Sequence, residues 1–215
     1  MKVGILGSGD VGLRLASSFM AAGHEVKLGT RHPQQPKVVE WAAKAGPKGS
    51  VGSFTEAAQF GEVIVLATLG VSTPDAIRAA GLLPFDGKVV IDTTNPLAFG
   101  PDGTPRLAPV GAGSNGEAIQ ALLPKARVVK AFNIIGNAHM FHPTFPGGPP
   151  DMFICGNDES AKRTVEGILH EFGWSTVIDV GGIDGARELE ALCILWVKSA
   201  MRLGDWDIGF KLLRK

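Results

Sequence analysis

The stretch MKVGILGSGDVGLRLASSFMAAG, residues 1–23, decides the fold. A short apolar strand is predicted over residues 3–6, followed by a helix in which apolar residues recur every three to four positions. The turn between them carries a G-x-G-x-x-G pattern made by Gly7, Gly9 and Gly12. That pattern alone is a weak signal in a chain with 29 glycines. Between a strand and an amphipathic helix, however, it has the context of a phosphate-binding loop.

Each glycine of this loop has a physical role. Gly7 permits the tight turn, Gly9 lets the backbone approach a pyrophosphate, and Gly12 allows the helix to pack closely on the strand. The helix N-terminus adds free N–H groups and a positive dipole. The alternative is a glycine-rich turn that binds nothing, but the strand and helix on either side favour a dinucleotide-binding loop.

Strands and helices alternate along most of the chain. Further strand-like runs are EVIVLAT (62–68), KVVIDTT (88–94), RVVKAFN (127–133), DMFICG (151–156) and TVIDVG (176–181). Capping signals mark two helix starts, Ser53 with Glu56 and Ser114 with Glu117. This alternation predicts an α/β fold, a Rossmann-type doubly wound parallel sheet with a small C-terminal helical or αβ extension.

Composition and charge exclude several classes of protein. Lys plus Arg and Asp plus Glu number 21 each, so no overall field attracts nucleic acid or an anionic membrane. No apolar run reaches the roughly 18 residues of a membrane span, and the start lacks the apolar region of a signal peptide. Two distant cysteines, Cys155 and Cys193, are typical of free thiols in a reducing compartment. We expect a soluble, cytoplasmic protein with neither a nucleic-acid nor a membrane partner.

The second predicted strand ends in KLGTRHP, residues 27–33. The tip of this strand faces the adenosine ribose in dinucleotide-binding folds, where a carboxylate selects NAD. Here Thr30 and Arg31 supply a hydroxyl and a guanidinium fork, which suit a 2′-phosphate. The alternative is that Arg31 is only a solvated surface residue, but no acid lies between Gly29 and Gln35. The sequence therefore predicts NADPH as the cofactor.

With these residues in place, the chain resembles the NADP-dependent oxidoreductases typified by the NADPH:coenzyme F-420 (deazaflavin) oxidoreductases; this coenzyme is written F420 below. The same family includes the cytosolic domain of the six-transmembrane metalloreductases. The resemblance covers nearly the whole chain and is carried by six segments. They are GSGDVG (7–12), GTR (29–31), VVKAFN (128–133), MFICGND (152–158), DVGGIDGARELEAL (179–192) and IGFKLLR (208–214).

The resemblance implies where the cofactor lies. It places the pyrophosphate at residues 8–11, the 2′-phosphate at Thr30 and Arg31, and the nicotinamide between the ends of the third, fourth and fifth predicted strands. Ligands of open α/β sheets do lie outside the carboxyl ends of the strands. The glycine pattern and the resemblance together assign the cofactor to Gly7, Ser8, Gly9, Asp10, Val11, Gly12, Thr30, Arg31, Ala67, Thr68, Leu69, Asn95, Pro96, Ile135 and Gly136.

Side chains suited to chemistry follow the predicted strand at 127–133. Asn133 and His139 are the candidate catalytic residues, and turn capping is an equal alternative for the asparagine. His139 and His142 have H-x-x-H spacing, but the Pro-rich loop offers no further ligand at metal spacing, so no metal site is predicted. Lys198 is expected to be structural or solvated.

The pocket offers little acid–base chemistry. Hydride transfer to a flavin or deazaflavin needs stacked rings and excluded water rather than a positioned acid. The chain has no tyrosine, which excludes the Tyr/Lys pair of short-chain dehydrogenases. We expect an NADPH-dependent oxidoreductase that transfers a hydride between NADP(H) and a planar acceptor, coenzyme F420 or a flavin. Segments 92–97 and 133–151, which border the acceptor pocket, depart from the deazaflavin enzymes. The alternative is a non-catalytic NADP(H)-binding redox sensor with that space filled by Met140, Phe141 or Phe145.

The remaining expectations concern the C-terminal part. We divide the chain into an NADP-binding Rossmann domain, 1–138, and a C-terminal αβ extension, 139–215, with a Pro-rich lid loop and a dimerisation helix. Arg187 either contacts an anionic acceptor or pairs with Glu188 or Glu190. A homodimer is expected because the C-terminal helix is apolar on more than one side, unless it is enclosed between the sheet and the tail. Its apolar residues are Leu189, Leu192, Cys193, Leu195, Trp196 and Met201.

Overall fold

The computed structural model describes residues 1–111 and 113–215. Its strands are β1 (Lys2–Leu6), β2 (Glu25–Gly29), β3 (Gly49–Gly52), β4 (Val63–Leu66), β5 (Val89–Asp92), β6 (Leu97–Phe99), β7 (Pro105–Leu107), β8 (Arg127–Lys130), β9 (Met152–Gly156) and β10 (Val177–Asp179). Its α-helices are α1 (Asp10–Ala21), α2 (Pro36–Ala45), α3 (Phe54–Phe60), α4 (Thr73–Ala80), α5 (Asn115–Leu122), α6 (Glu159–Glu171) and α7 (Ala186–Leu203).

The described strands form one large sheet and one small hairpin. The large sheet has the order β10-β9-β8-β5-β4-β1-β2-β3, and its strands from β8 to β3 are parallel to one another. The Rossmann-type fold is therefore confirmed. The carboxyl ends of β1, β2, β4, β5 and β8 share one edge of the sheet, so the segments that follow them lie side by side.

The sheet is mixed rather than wholly parallel. β9 runs antiparallel to β8, with Cys155 opposite Lys130, and β10 runs parallel to β9. The segment 131–151 between β8 and β9 contains a single 3-10 turn at Asn137–His139 among its elements in the described structure. Because this fully described segment has no crossover helix, the chain re-enters the sheet at the edge where β8 ended. The next strand, β9, must then run antiparallel to β8.

Sequence patterns missed three short strands. β3 has the sequence GSVG and pairs with the outer side of β2, so its backbone rather than its composition makes it a strand. β6 and β7 pair antiparallel as a hairpin, with Leu97 opposite Leu107. This hairpin follows β5 and stands beside the crevice edge of the large sheet.

Helices cover both faces of the sheet with their apolar sides. On one face α1, α2 and α6 pack around Leu15, Phe19 and Phe172. On the other face α3, α4, α5 and the start of α7 pack around Leu66 and Phe85. Side chains along each central strand alternate between these two clusters, as the pleat of a β-strand requires. None of the helices in residues 1–111 and 113–215 is both long and apolar enough to cross a membrane.

Both cysteines are buried and free. Burial raises the pKa of the Cys155 thiol to about 12 and that of the Cys193 thiol to about 11. Thiols with such pKa values stay protonated near neutral pH, and the protonated form is a poor nucleophile. These side chains behave as small apolar core residues.

The C-terminal helix is enclosed on one side only. Leu189, Cys193 and Trp196 are buried within the chain, whereas Leu195 and Met201 are 53% and 49% exposed. The tail after α7 contacts the body of the chain, where the Ile208 carbonyl accepts from Trp196 Nε1 at 2.9 Å. Part of the apolar surface that favours a homodimer is therefore used inside the chain, and part of it faces outward.

The Pro-rich segment is anchored to the body of the protein by Trp174. This side chain is only 2% exposed, lies in the core beside α6, and donates from Nε1 to the Met140 carbonyl at 3.1 Å. The His142 N–H donates to the Phe172 carbonyl at 2.7 Å. The start of the segment is thus fixed to the end of α6.

Trp174→Ala should lower the free energy of unfolding by about 3–5 kcal/mol, because it leaves a large core cavity and an unsatisfied carbonyl. Urea denaturation followed by circular dichroism measures the loss. The matched control is Trp206→Ala in the tail, where the side chain is 52% exposed. Its loss should be about 1 kcal/mol or less, and equal losses in the two variants would contradict this assignment of the core.

Candidate active site

The phosphate loop lies between β1 and α1. Gly7 has φ +123°, a conformation that favours glycine. A Cβ atom at Gly12 would overlap the carbonyl of Gly7, so no side chain fits where α1 meets β1. Gly9 is the N-cap of α1, and a Cβ built there has no described atom within 4 Å. The loop therefore turns tightly, packs closely and leaves open space above its middle glycine.

The N-terminus of α1 is available to an anion. Among residues 1–111 and 113–215, none caps its first turn with a side chain. The first N–H groups of a helix have no partner within the helix, and together with the helix dipole they bind phosphate. Asp10 in this turn is exposed and lies 3.0 Å from Lys37 Nζ of α2, which offsets its charge.

A hydroxyl pair connects the phosphate loop to the end of β2. Ser8 Oγ and Thr30 Oγ1 lie 2.8 Å apart, and the His32 N–H donates to Thr30 Oγ1 at 3.0 Å. Thr30 is buried, whereas Arg31 is exposed on the rim of a surface hollow lined by residues 31–36. Thr30 thus fixes the backbone of the turn, and the Arg31 guanidinium is placed at the surface beside it.

The segments after β4 and β5 touch through their backbones. A Cβ atom at Gly70 would overlap the Asn95 carbonyl, so the two segments approach as closely as backbone allows. Thr68 Oγ1 lies 2.8 Å from Thr73 Oγ1 at the start of α4. Leu69 between them is 78% exposed. The contact at Gly70 thus joins the segment that carries Thr68 and Leu69 to the segment that carries Asn95.

Asn95 and Asn133 form a reciprocal amide pair. Asn133 Nδ2 donates to Asn95 Oδ1 at 2.9 Å, and Asn95 Nδ2 donates to the Asn133 carbonyl at 2.8 Å. Asn133 Nδ2 also donates to the Leu189 carbonyl at 2.9 Å. Asn133 is 4% exposed, and its enclosed Oδ1 accepts no hydrogen bond from the described residues. The pair joins the ends of β5 and β8 to α7, and Asn95 is its more exposed member.

The backbone turns sharply just before Asn133. Phe132 has φ +62°, a left-handed conformation that is rare for a bulky side chain. Its ring is buried 5.9 Å from the Phe172 ring, and its N–H lies 3.2 Å from Met152 Sδ. The packing of Phe132 in the core holds this strained turn, and the turn directs Asn133 toward Asn95 and Leu189.

A buried cation lies beneath this amide pair. Lys130 Nζ is fully buried and lies 2.6 Å from Asp92 Oδ2 and 3.0 Å from Glu190 Oε1. Burial alone would lower the pKa of Lys130, but the two carboxylates raise that pKa above its ordinary value. Glu190 also accepts from the first two N–H groups of α5, those of Asn115 and Gly116. The ammonium thus stays protonated within a network that joins β5, β8, α5 and α7.

His139 lies farther out than Asn133. His139 Nε2 and Asp207 Oδ1 are 2.8 Å apart, so the histidine is bonded to the tail after α7. Arg14 of α1 donates from Nη2 to the carbonyls of Ala138 and Phe141 at 2.9 and 3.3 Å. The segment that carries His139 is therefore fixed both to α1 and to the tail.

The structure brings the predicted cofactor residues to one edge of the sheet. Those of 7–12, 30–31, 67–69, 95–96 and 135–136 follow the carboxyl ends of adjacent parallel strands. Of these residues, Ala67 and Ile135 have buried side chains within the core. That these positions contact a cofactor stays a prediction, as does the division at 138/139.

Sequence reasoning missed the buried network and the contacts of α7. Lys130 and Asp92 are paired in register and end two neighbouring buried strands. Opposite charges that close adjacent apolar strands were the signal that could have found them. Arg187 pairs neither with Glu188 nor with Glu190, but binds Glu117 through two hydrogen bonds of 2.8 and 2.6 Å. Lys198 is exposed. No group of three or more potential metal ligands occurs within 1–111 and 113–215.

Comparison with known proteins agrees with this geometry. The family described as NADP oxidoreductase, coenzyme F420-dependent, matches residues 2–96. An F420-dependent NADP reductase of Methanocaldococcus jannaschii is 30% identical, and the alignment covers 99% of this chain and 98% of that protein. Rat metalloreductase STEAP3 is 33% identical over 89% of this chain, which spans only 36% of the rat protein.

A solved structure is similar over the full length. It comes from Arthrobacter sp. FB24, was described as a candidate F420-dependent NADP-reductase, and is 36% identical with a TM-score of 0.94. The match covers 100% of both chains. The phosphate loop, the sheet and the whole-length relatives lead to one conclusion. The chain belongs to the family of coenzyme F420-dependent NADP oxidoreductases, to which the STEAP metalloreductases are related, and it is an NADP-dependent oxidoreductase.

Proposed function

We propose that this oxidoreductase transfers a hydride between NADP(H) and a planar deazaflavin or flavin-type ring. The observation that carries the proposal is the chemistry of the crevice edge. The side chains that follow β4, β5 and β8 include amides, hydroxyls and apolar groups, with Asn95, Thr68 and Leu69 the more exposed among them. Such walls suit two stacked rings, whereas reduction of a carbonyl requires a proton donor.

Coenzyme F420 is the leading candidate for the acceptor. Relatives that match this chain along its whole length are named F420-dependent NADP reductases. FMN, FAD and ferric chelates reduced through a flavin follow as alternatives. In each case the bound cofactor supplies the hydride, and the residues of the chain bind, orient and exclude water.

The sensor alternative requires side chains that fill the acceptor space. Met140 is 2% exposed within the core. The Phe141 ring lies 5.1 Å from the Phe172 ring beyond α6, and the Phe145 ring lies 4.6 Å from His139. Met140 and Phe141 are thus engaged on the α6 side of the segment, which favours the enzyme.

We propose that NADPH is selected by Arg31, with Thr30 holding the turn that presents it. Arg31→Ala should weaken NADPH binding by about 10- to 150-fold, the effect of losing roughly 1.5–3 kcal/mol of charge-assisted hydrogen bonding to the 2′-phosphate. NADH affinity should stay nearly unchanged. Titration calorimetry with both cofactors measures the difference, and Arg163→Ala on the exposed face of α6 is the matched control. An equal loss for NADPH and NADH would refute the assignment.

Asn133 and His139 are the residues that we propose for the reacting end. Asn133→Leu should lower turnover at least tenfold and change NADPH affinity less than twofold, because only the hydrogen bonds of Asn133 Nδ2 to Asn95 Oδ1 and to the Leu189 carbonyl are lost. Asn137→Leu, an exposed position in the same segment, is the control and should retain turnover. Steady-state kinetics together with NADPH titration separate the two effects. Loss of NADPH affinity without loss of turnover would mean that Asn133 does not act at the reacting end of the cofactor.

The decisive test is anaerobic oxidation of NADPH against coenzyme F420, FMN, FAD, ferric chelates and quinones. We expect the fastest turnover with coenzyme F420. A protein that binds NADPH tightly but oxidises it with none of these acceptors would instead be the redox sensor.

We also propose that the protein acts in the cytoplasm as a homodimer. The exposed apolar side chains of α7 and the tail support the dimer, since a second chain could cover this apolar surface. They are Leu195, Met201, Leu203, Trp206, Leu212 and Leu213. Light scattering at micromolar concentration should give about twice the 22.5 kDa of one chain. A particle of one chain across that concentration range would rule out the dimer.

A further inference from the structure

All donors of the Lys130 ammonium are used inside the protein. Lys130 Nζ donates to Asp92 Oδ2 at 2.6 Å and to the Thr94 carbonyl at 2.7 Å. Glu190 Oε1 is its third acceptor, at 3.0 Å. Since an ammonium has three N–H groups, this set satisfies it completely. Lys130 has no donor left for a ligand, so any effect on the reaction must pass through what it holds.

The ammonium holds the turn that follows β5. Thr94 is fixed by four hydrogen bonds: its carbonyl accepts from Lys130, its N–H and Oγ1 donate to Asp92 Oδ1, and Oγ1 accepts from Asn115 Nδ2. The next residue is Asn95. The position of the Asn95 amide therefore follows directly from the position of Thr94.

The same lysine also reaches the other half of the amide pair. It ends β8, three residues before Asn133, and its partner Glu190 lies next to Leu189 in α7. The Leu189 carbonyl is the second acceptor of Asn133 Nδ2. One ammonium thus joins the backbones on both sides of the Asn95–Asn133 pair.

Stability alone does not account for this arrangement. Taking one ammonium and two carboxylates out of water costs much of what their attraction returns, and apolar side chains of similar volume often stabilise a core equally well. An ion network also fixes the relative positions of the groups that it joins, because each hydrogen bond restricts an angle and a distance. A site that must hold an amide in place benefits from that property.

We infer that Lys130, together with Asp92 and Glu190, is a positioning residue for the hydride-transfer site, which it serves by fixing Asn95 and Asn133. This inference rests on the proposed function. The reacting end of the cofactor depends on the network, whereas the adenosine end at Arg31 does not. Displacement of a site by about 1 Å can cost on the order of 100-fold in rate.

The test uses the double variant K130M/E190Q in the full chain. It removes one positive and one negative charge, so the cluster keeps its net charge while losing the ammonium. Lys162→Met is the matched control: Lys162 is also buried between two carboxylates, Glu159 Oε1 at 2.7 Å and Asp179 Oδ2 at 2.6 Å, but on α6 and β10. Should K130M/E190Q fail to fold, Asp92→Asn takes its place with the same expectations.

Three quantities are measured: the Kd of NADPH, kcat with coenzyme F420, and the emission of bound NADPH, which reports the surroundings of the nicotinamide. For K130M/E190Q we expect kcat to fall 10- to 100-fold, Kd to change less than twofold and the emission to shift. Lys162→Met should retain all three. A kcat within twofold of the wild type in K130M/E190Q overturns the inference, and so does an equal fall of kcat in Lys162→Met.

Failure of the proposed function is distinguishable from failure of the inference. If the wild-type protein oxidises NADPH with none of the acceptors tested, the proposed function fails. The emission of bound NADPH then decides the inference alone. An emission shift in K130M/E190Q that Lys162→Met does not show supports the positioning role. Identical emission of NADPH bound to the wild type and to K130M/E190Q overturns it.

Discussion

The close contact between Gly12 and the Gly7 carbonyl is the constraint on which the rest of the structure depends. Because Gly12 has no side chain, α1 can lie directly against the end of β1 and direct its first N–H groups into the crevice. A methyl group at this position would have no room. The same requirement recurs at Gly70, where the segment after β4 meets the Asn95 carbonyl. Backbone approach at these two positions sets how near the segments from three strands come to one another. The polar groups that line the crevice are arranged within that frame.

The parts of the fold that the sequence predicted are those governed by local pattern. The glycine loop, the buried strands, the capping box at Ser53 and the side-chain cap at Ser114 depend on residues close together in the chain, and the structure confirms them. The direction of β9 depends instead on how segment 131–151 returns to the sheet, which no local pattern records. The hairpin β6–β7 is short and only partly buried, so its alternation is too brief to detect.

The candidate site shows the same division between local and long-range information. A phosphate loop and a basic residue after β2 were recognisable because each depends on a few neighbouring residues. The burial of Asn133 was not, since its partners Asn95 and Leu189 lie 38 and 56 residues away in the chain. The network around Lys130 was likewise not recognisable from the sequence, because its partners Asp92 and Glu190 come from different elements. The crevice has exposed positive charge at one end and neutral amides at the other end. This arrangement suits a cofactor with charged phosphates at one end and an uncharged ring surface at the other.

The antiparallel junction of β8 and β9 has a consequence for how the enzyme can change. The 21 residues between these strands begin and end at the same edge of the sheet, so their path does not set the register of any parallel strand. Insertions or exchanges between 143 and 149 would change this segment while the sheet, the phosphate loop and the buried network stayed intact. Evolution or laboratory recombination can therefore vary the segment separately from the phosphate loop. The junction makes the segment a module that can be grafted between relatives.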